Sequence, residues 1–293
     1  MRSKTNIIFI GTSEFAVSIL EDLIKSSLFN ISAVITAPDR PAGRKKELNL
    51  SPIKKTALKH KLKVFQPEKI IRIKKEISTI KPILIVLASY GQIIPKDILE
   101  IPTLGIINIH PSLLPKYRGS SPIQTAILNG DKYTGISIML IDEKVDHGPI
   151  IAQLKVPILS SDNKIVLEKK LSKKSAKFLI KILPKYLKKQ IKPKTQDKSK
   201  ASYTKILTRQ DGKIDWGESA KSIAQKVKAF YPWPGAWTII NNKRVKILKA
   251  KVVNKKIKLE IVQPEGKKPM TGEEFFRGCK VKMSQNNAIL LQK

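Results

Sequence analysis

The chain has one cysteine, Cys279, in 293 residues. A single thiol excludes an internal disulfide and any paired-cysteine metal site, and it fits a reducing compartment. No apolar run approaches the roughly 20 residues that a membrane-spanning helix needs. The opening MRSKTNIIFIG is too short in apolar residues to read as a secretion signal, so the expected location is the cytoplasm. A G-x-G-x-x-G fingerprint is also absent. The first glycine turn, GTSEFA (Gly11–Ala16), matches it only loosely, so no nicotinamide cofactor is expected. Histidine is scarce, with three residues, and acidic side chains number 23 against 57 basic ones.

That imbalance gives a formal net charge of +34, although only eight of the basic residues are arginine. Its distribution says more than its total. Residues 1–150 carry 22 basic and 13 acidic side chains, whereas residues 151–293 carry 35 and 10. The second half therefore reads as a surface that meets phosphates.

Four short, β-branched, apolar runs are present: NIIFIG (Asn6–Gly11), ISAVIT (Ile31–Thr36), ILIVLAS (Ile83–Ser89) and GIINIH (Gly105–His110). Each reads as a strand buried on both faces, and helix-compatible stretches separate them. Ser13 stands where it can cap the helix after the first run. The alternation predicts a doubly wound, mostly parallel α/β sheet, whose ligands bind beyond the carboxyl ends of the strands. The loops GTSEF, TAPDRPAGRKK, SYGQIIPK and HPSLLPKYRG all fall at that end.

Further along, TGISIMLIDEKVDHGPIIAQ reads as two strands joined by a loop. A lysine-rich helix follows, with Ile165, Leu167, Leu171, Phe178, Ile182 and Leu183 at near-helical spacing. QIKPKTQDKSKA (Gln190–Ala201) has no apolar period and reads as a linker. Beyond it, short strands around one helical stretch predict a small OB-like β-barrel, a fold that often takes nucleic acid. The predicted organisation is a first domain over 1–189, a linker over 190–206 and a barrel over 207–293.

Asn108 and His110 break the apolar pattern of the fourth strand. They are two residues apart, so an extended chain projects both from one face. A buried amide and imidazole need partners, which are either structural or reacting. Asp146, in VDHG, sits on the loop of the strand pair expected beside this strand. A carboxylate orients imidazole and supports its charged form, and an amide donates to an oxygen gaining negative charge. No serine or cysteine is paired with this histidine in a nucleophile motif, so the set suits acyl-type transfer without a covalent intermediate on the chain. His147 lacks a strand to aim it inward, and His60, in ALKHKLK, reads as a solvated surface residue.

INIHPSLLPKYRGSSPI, together with Asp146 in DEKVDHGPI, resembles the 10-formyltetrahydrofolate-dependent formyltransferases. IIFIGTSEFA, PDRPAGRKK, ASYGQIIP, DGKIDW and FYPWPGAW extend the resemblance over nearly the whole chain. Lys144 and His147 stand where that family more often has Gly and Thr. The resemblance implies a Rossmann-like catalytic domain in which Asn108, His110 and Asp146 carry the reaction. Folate would be enclosed by Ser112, Leu113, Leu114 and Pro115, by Tyr90, Gln92 and Ile93, and by the backbone near Asp146. It further implies 10-formyltetrahydrofolate as co-substrate with no metal, and a monomer acting on the α-amino group of methionine esterified to initiator tRNA. Arg40, Arg44, Lys45 and Lys46 would contact that tRNA. Relatives acting on glycinamide ribonucleotide or amino-sugar nucleotides, and those releasing formyl to water, share the catalytic motif. The basic PAGRKK loop is what separates this chain from them. A non-catalytic RNA-binding protein on the same fold would not need the intact Asn108, His110 and Asp146 set.

Overall fold

A computed structural model of the chain describes residues 4–42 and 47–278. From the amino end, β1 (Thr5–Gly11) leads into α1 (Glu14–Lys25) and β2 (Phe29–Ile35). A small antiparallel pair follows, β3 (Arg40–Ala42) and β4 (Glu47–Asn49), then α2 (Pro52–Lys59) and β5 (Val64–Phe65). Next come α3 (Lys74–Ile80), β6 (Leu84–Ala88), α4 (Lys96–Leu99) and β7 (Ile106–His110). α5 (Pro122–Leu128) precedes β8 (Tyr133–Leu140), β9 (Ile150–Pro157) and α6 (Lys164–Leu187). The described chain closes with α7 (Ala220–Phe230), β10 (Ala236–Ile240), β11 (Lys243–Val253), β12 (Lys256–Pro264), β13 (Met270–Thr271) and α8 (Gly272–Arg277).

The chain divides into two compact units. The first takes residues 1–120, 134–156 and 168–203, and the second takes 121–133, 157–167 and 204–293. This differs from a single break at 190–206. Residues 190–203 are no free linker: Lys194 bridges to Ile150, Tyr203 bridges to Arg118, and Gln196 is buried. Their lack of apolar period arises because backbone bridges and one polar side chain hold them, not an apolar stripe.

The sheet of the first unit runs in the order β5-β2-β1-β6-β7-β8-β9. Its first five strands are parallel, and β8 pairs antiparallel with β7. Ile7, Ile8, Phe9 and Ile10 of β1 are wholly buried. Each such side chain contributes about 1.5–3 kcal/mol relative to exposure, which is what fixes an all-apolar run at the centre of the sheet. The strand-end loops are knitted together, with Thr12 N donating to Ser89 O at 3.0 Å and Ala37 N to Thr12 Oγ1 at 3.3 Å. Ser13 stands at the N-cap of α1, but its hydroxyl donates to Ser89 Oγ at 2.7 Å and leaves the helix end uncapped by a side chain. On α6, Leu167, Leu171, Leu179 and Leu183 are buried, whereas Ile165 is exposed. His60 is half-buried and faces Glu21 at 3.4 Å, not open solvent.

In the second unit β10, β11, β12 and β13 form an antiparallel sheet. Asn241–Asn242 and Asn254–Lys255 join the longer strands with positive φ at both positions of each turn, the two-residue geometry that matches strand twist. α7 buries Ile223, Ala224 and Val227 against Val245, Ile247, Ile257 and Val262. The last expected strand, NAILLQK (Asn287–Lys293), lies outside the described residues, and the described strands form an open sheet.

Candidate active site

β7 ends the run of parallel strands, so its carboxyl end lies at the same end of the sheet as those of β1, β2 and β6. Asn108 pairs across the sheet with Leu87 and Met139, and His110 pairs with Ser137. The strand alternation puts both side chains on one face, as their spacing predicts. Asp146 comes to them from the loop between β8 and β9. Asn108 Nδ2 donates to Asp146 Oδ1 at 3.1 Å, and His110 Nδ1 lies 3.5 Å from Asp146 Oδ2. The His110 and Asp146 side chains are 5% and 13% exposed, so little water reaches either.

His110 Nε2 lies 2.8 Å from Tyr117 O. A carbonyl only accepts, so Nε2 carries the hydrogen and the neutral ring keeps its lone pair on Nδ1, beside Asp146. The sequence pointed to Asp146 as the group that orients the ring, and the structure adds a backbone carbonyl, that of Tyr117, on the ring's other nitrogen. Asp146 is then placed to support the positive ring that forms when Nδ1 gains a proton. Gly119 N donates to Asp146 Oδ2 at 2.8 Å. Asn108 spends one amide hydrogen on Asp146 and keeps a second. Tyr117 and Asp146 both take left-handed backbone, with φ of 63° and 47°. Such positions in non-glycine residues are sparsely populated and persist where surrounding bonds over-determine them.

Residues expected around folate fall into two groups. Ser112 and Leu114 are buried and hold the loop itself. Ser112 Oγ donates to Lys116 O at 2.6 Å, Leu114 N to Ser137 Oγ at 3.0 Å, and Gln153 Nε2 to Leu114 O at 2.8 Å. Leu113 packs against Gly135, where any Cβ would lie 2.3 Å from its side chain. Pro115 is half-buried. Tyr90 is buried, its hydroxyl has no hydrogen-bond partner among the described residues, and burial pushes its pKa up to about 12. Gln92 is committed to the chain upstream, accepting from Ile70 N at 3.0 Å and donating to Glu68 O at 3.2 Å. Ile93 is 75% exposed.

A cavity of about 470 Å³ is lined by Lys96, Leu99 and Glu100 around α4 and by Asp142, Glu143, Lys144 and His147 of the acidic loop. That volume is within the range of small-ligand sites. His147 Nδ1 is 2.7 Å from Asp142 Oδ2, so this histidine serves the loop. Among the described residues no group of three or more His, Cys, Asp or Glu side chains is placed to hold a metal, and no helix is long and apolar enough to cross a membrane.

Of the cationic loop, Arg40 is exposed on β3, and Arg44, Lys45 and Lys46 lie outside the described residues. Asp39, just before β3, accepts from Lys54 Nζ and from Gln66 Nε2, and the lysine contact holds its carboxyl below the usual range. In the second unit β11 presents Lys243, Arg244, Lys246, Lys249 and Lys251 to solvent, with the Arg244 guanidinium 4.1 Å from the Trp237 ring centroid.

A formyl transferase sequence profile matches residues 5–183, and a profile of the formyl transferase C-terminal domain matches residues 206–260. The chain belongs to the formyltransferase family. It is 41% identical over 301 aligned positions to a protein named methionyl-tRNA formyltransferase from Thermodesulfovibrio yellowstonii, with 95% of this chain and 97% of that one covered. A protein of the same name from Bacillus subtilis is 39% identical, with 94% and 96% covered. Among solved structures, the methionyl-tRNA formyltransferase of Clostridium thermocellum superposes with a TM-score of 0.62 at 19% identity, covering 92% of this chain and 100% of that one. An N-formyltransferase from Helicobacter canadensis, solved with folinic acid and dTDP-3-aminofucose, gives 0.67 at 22% identity, with 86% and 89% covered. At those identities the superpositions establish the fold.

Two residues near the centre were not singled out in the sequence. Arg118 is 2% exposed, and Gln196 is 5% exposed. Arg118 lies inside the quoted PKYRG motif, so a signal was present there. Gln196 stands in a lysine-rich polar run that offered none.

Proposed function

We propose that this chain transfers a formyl group from 10-formyltetrahydrofolate to the α-amino group of methionine esterified to initiator tRNA, acting as a cytoplasmic monomer. The observation that carries this reading is the convergence of Asn108, His110 and Asp146 at the end of β7. It occurs in a chain that aligns almost end to end with methionyl-tRNA formyltransferases. The attacking amine must lose a proton, which His110 Nδ1 accepts while Asp146 balances the charge, and a proton is returned to N10 of the departing tetrahydrofolate as its bond to the formyl carbon breaks. The free amide hydrogen of Asn108 serves the formyl oxygen as that atom gains negative charge. The folate ring is enclosed by Tyr90, Gln92, Ile93 and the loop Ser112–Pro115, as the family motifs imply. Arg40, Arg44, Lys45 and Lys46, with the lysines of the second unit, meet the tRNA backbone.

Steady-state formylation of charged initiator tRNA beside an amino-sugar nucleotide and a simple amine tests the reading. Charged tRNA is the preferred acceptor by kcat/KM, and preference for either small amine would overturn it. In the same assay Arg44→Ala lowers kcat/KM for charged tRNA severely, and Arg44→Lys recovers only part, because arginine's planar fork grips phosphate and stacks on a base in ways lysine does not. Folate affinity, measured by titration, stays unchanged. An Arg44→Ala enzyme that formylates tRNA at the wild-type rate removes this loop from acceptor binding.

A further inference from the structure

Gln196 uses every hydrogen-bonding site of its side chain inside the protein. Its amide nitrogen donates to Asp146 O at 3.0 Å and to Gly148 O at 2.8 Å. Its oxygen accepts from Arg118 Nε at 3.2 Å and from Nη2 at 2.8 Å. Reversing the amide would set its oxygen against two carbonyls and its hydrogens against a guanidinium, so only one orientation is possible. Arg118 is itself fixed by the same strap of chain: its Nη1 donates to Tyr203 Oη at 3.1 Å and its backbone N to Ser202 O at 2.8 Å.

The two segments that Gln196 ties together are those that dress the reacting pair. On one side is the loop of Tyr117, Arg118 and Gly119, whose carbonyl orients His110 and whose amide binds Asp146. On the other is the left-handed turn of Asp146. We propose that Gln196 is a positioning residue for formyl transfer, pinning the Asp146 turn to the Arg118 loop and so fixing the separation of Asp146 Oδ2 from His110 Nδ1. It touches neither substrate and acts through Asp146. The inference rests on the reading of Asn108, His110 and Asp146 as the reacting centre.

The test is a kinetic cycle on the full chain with Gln196→Met, which keeps the shape and removes all four bonds. Gln196→Glu accompanies it, keeping acceptance from Arg118 and losing both donations. Each is also combined with Asp146→Asn. A misplacement of about 1 Å costs on the order of 10²-fold in rate. The expected result is therefore a 10- to 100-fold fall in kcat for each single variant, with KM for both substrates within about twofold of wild type. In the double variants kcat falls no further than in Asp146→Asn alone, because the residue that Gln196 positions is already disabled. Wild-type kcat, a rise in KM alone, or losses that multiply in the double variants would overturn the inference. Thermal melting is followed throughout, and Gln196→Glu carries the cycle if Gln196→Met melts below the assay temperature. If Asp146→Asn turns over at the wild-type rate, the centre itself is misassigned and this inference falls with it. If Asp146→Asn is crippled and Gln196→Met is not, this inference alone falls.

Discussion

The two nitrogens of His110 have different neighbours, and that difference assigns them different work. With Nε2 donating to Tyr117 O, only Nδ1 retains a lone pair, and it lies beside Asp146, whose other oxygen accepts from Asn108. His110→Ala is therefore expected to lower kcat about 10²- to 10⁴-fold while folate titration changes little. Turnover near wild type would remove His110 from the reaction. Asn108→Ala is expected to lower kcat roughly 10²-fold or more if its amide serves the oxyanion, and a change confined to KM would mean ground-state binding. Asn108 and His110 were legible in the sequence because two polar residues at a spacing of two interrupt an otherwise apolar strand. Tyr117 was not, because its contribution is a carbonyl that every residue possesses, and what makes it special is a φ of 63° that no side chain announces.

At the scale of elements, the acidic loop between β8 and β9 is held from behind by a close approach of backbone. A Cβ on Gly148 would lie 2.0 Å from Leu140 O, and a carbonyl in a strand has nowhere to go. Gly148→Ala is expected to lower kcat because Asp146, two residues away, moves with the loop. It should also cost about 1–3 kcal/mol of stability, read by denaturant titration. A stable, fully active variant would mean the loop has slack. In the second unit the turn Arg209–Gly212 begins with a capping box in which Asp211 binds Thr208. The hydrogen bond from Lys205, reinforced by Thr208 N, holds the Asp211 carboxyl down to about 2. A carboxyl whose pKa is lower folded than unfolded stabilises fully above its unfolded value near 4 and loses that contribution as pH falls toward 2. The melting difference between wild type and Asp211→Asn is thus expected to be complete at neutral pH, to shrink below about pH 4 and to vanish as pH falls through about 2. A difference independent of pH would assign the effect to something other than this charge. The central strands were readable because burial on both faces leaves an uninterrupted apolar run. The exposure of Ile165 was not, since spacing alone does not say where along α6 the covering layer ends.

For the molecule as a whole, the lysine excess has a measurable consequence in binding. Neutralising phosphates releases counterions, so affinity for tRNA is expected to fall linearly on a log–log plot against salt, with a slope set by the number of phosphates met. Affinity insensitive to salt would make the lysines bystanders. The pairing of a parallel α/β unit with an antiparallel sheet was visible from strand spacing. The edge between them was not, because residues 168–203 return to the first unit through single bridges and one buried amide. That return has a consequence in time. Gln196 is made 50 residues after Asp146, an interval of about 3–10 s at about 5–20 residues per second of synthesis. For those seconds a nascent chain already holds Asn108, His110 and Asp146 but lacks the amide that ties two of its loops together. A chain cut short within that window carries Asn108, His110 and Asp146 without the tie that Gln196 makes between the Asp146 turn and the Arg118 loop.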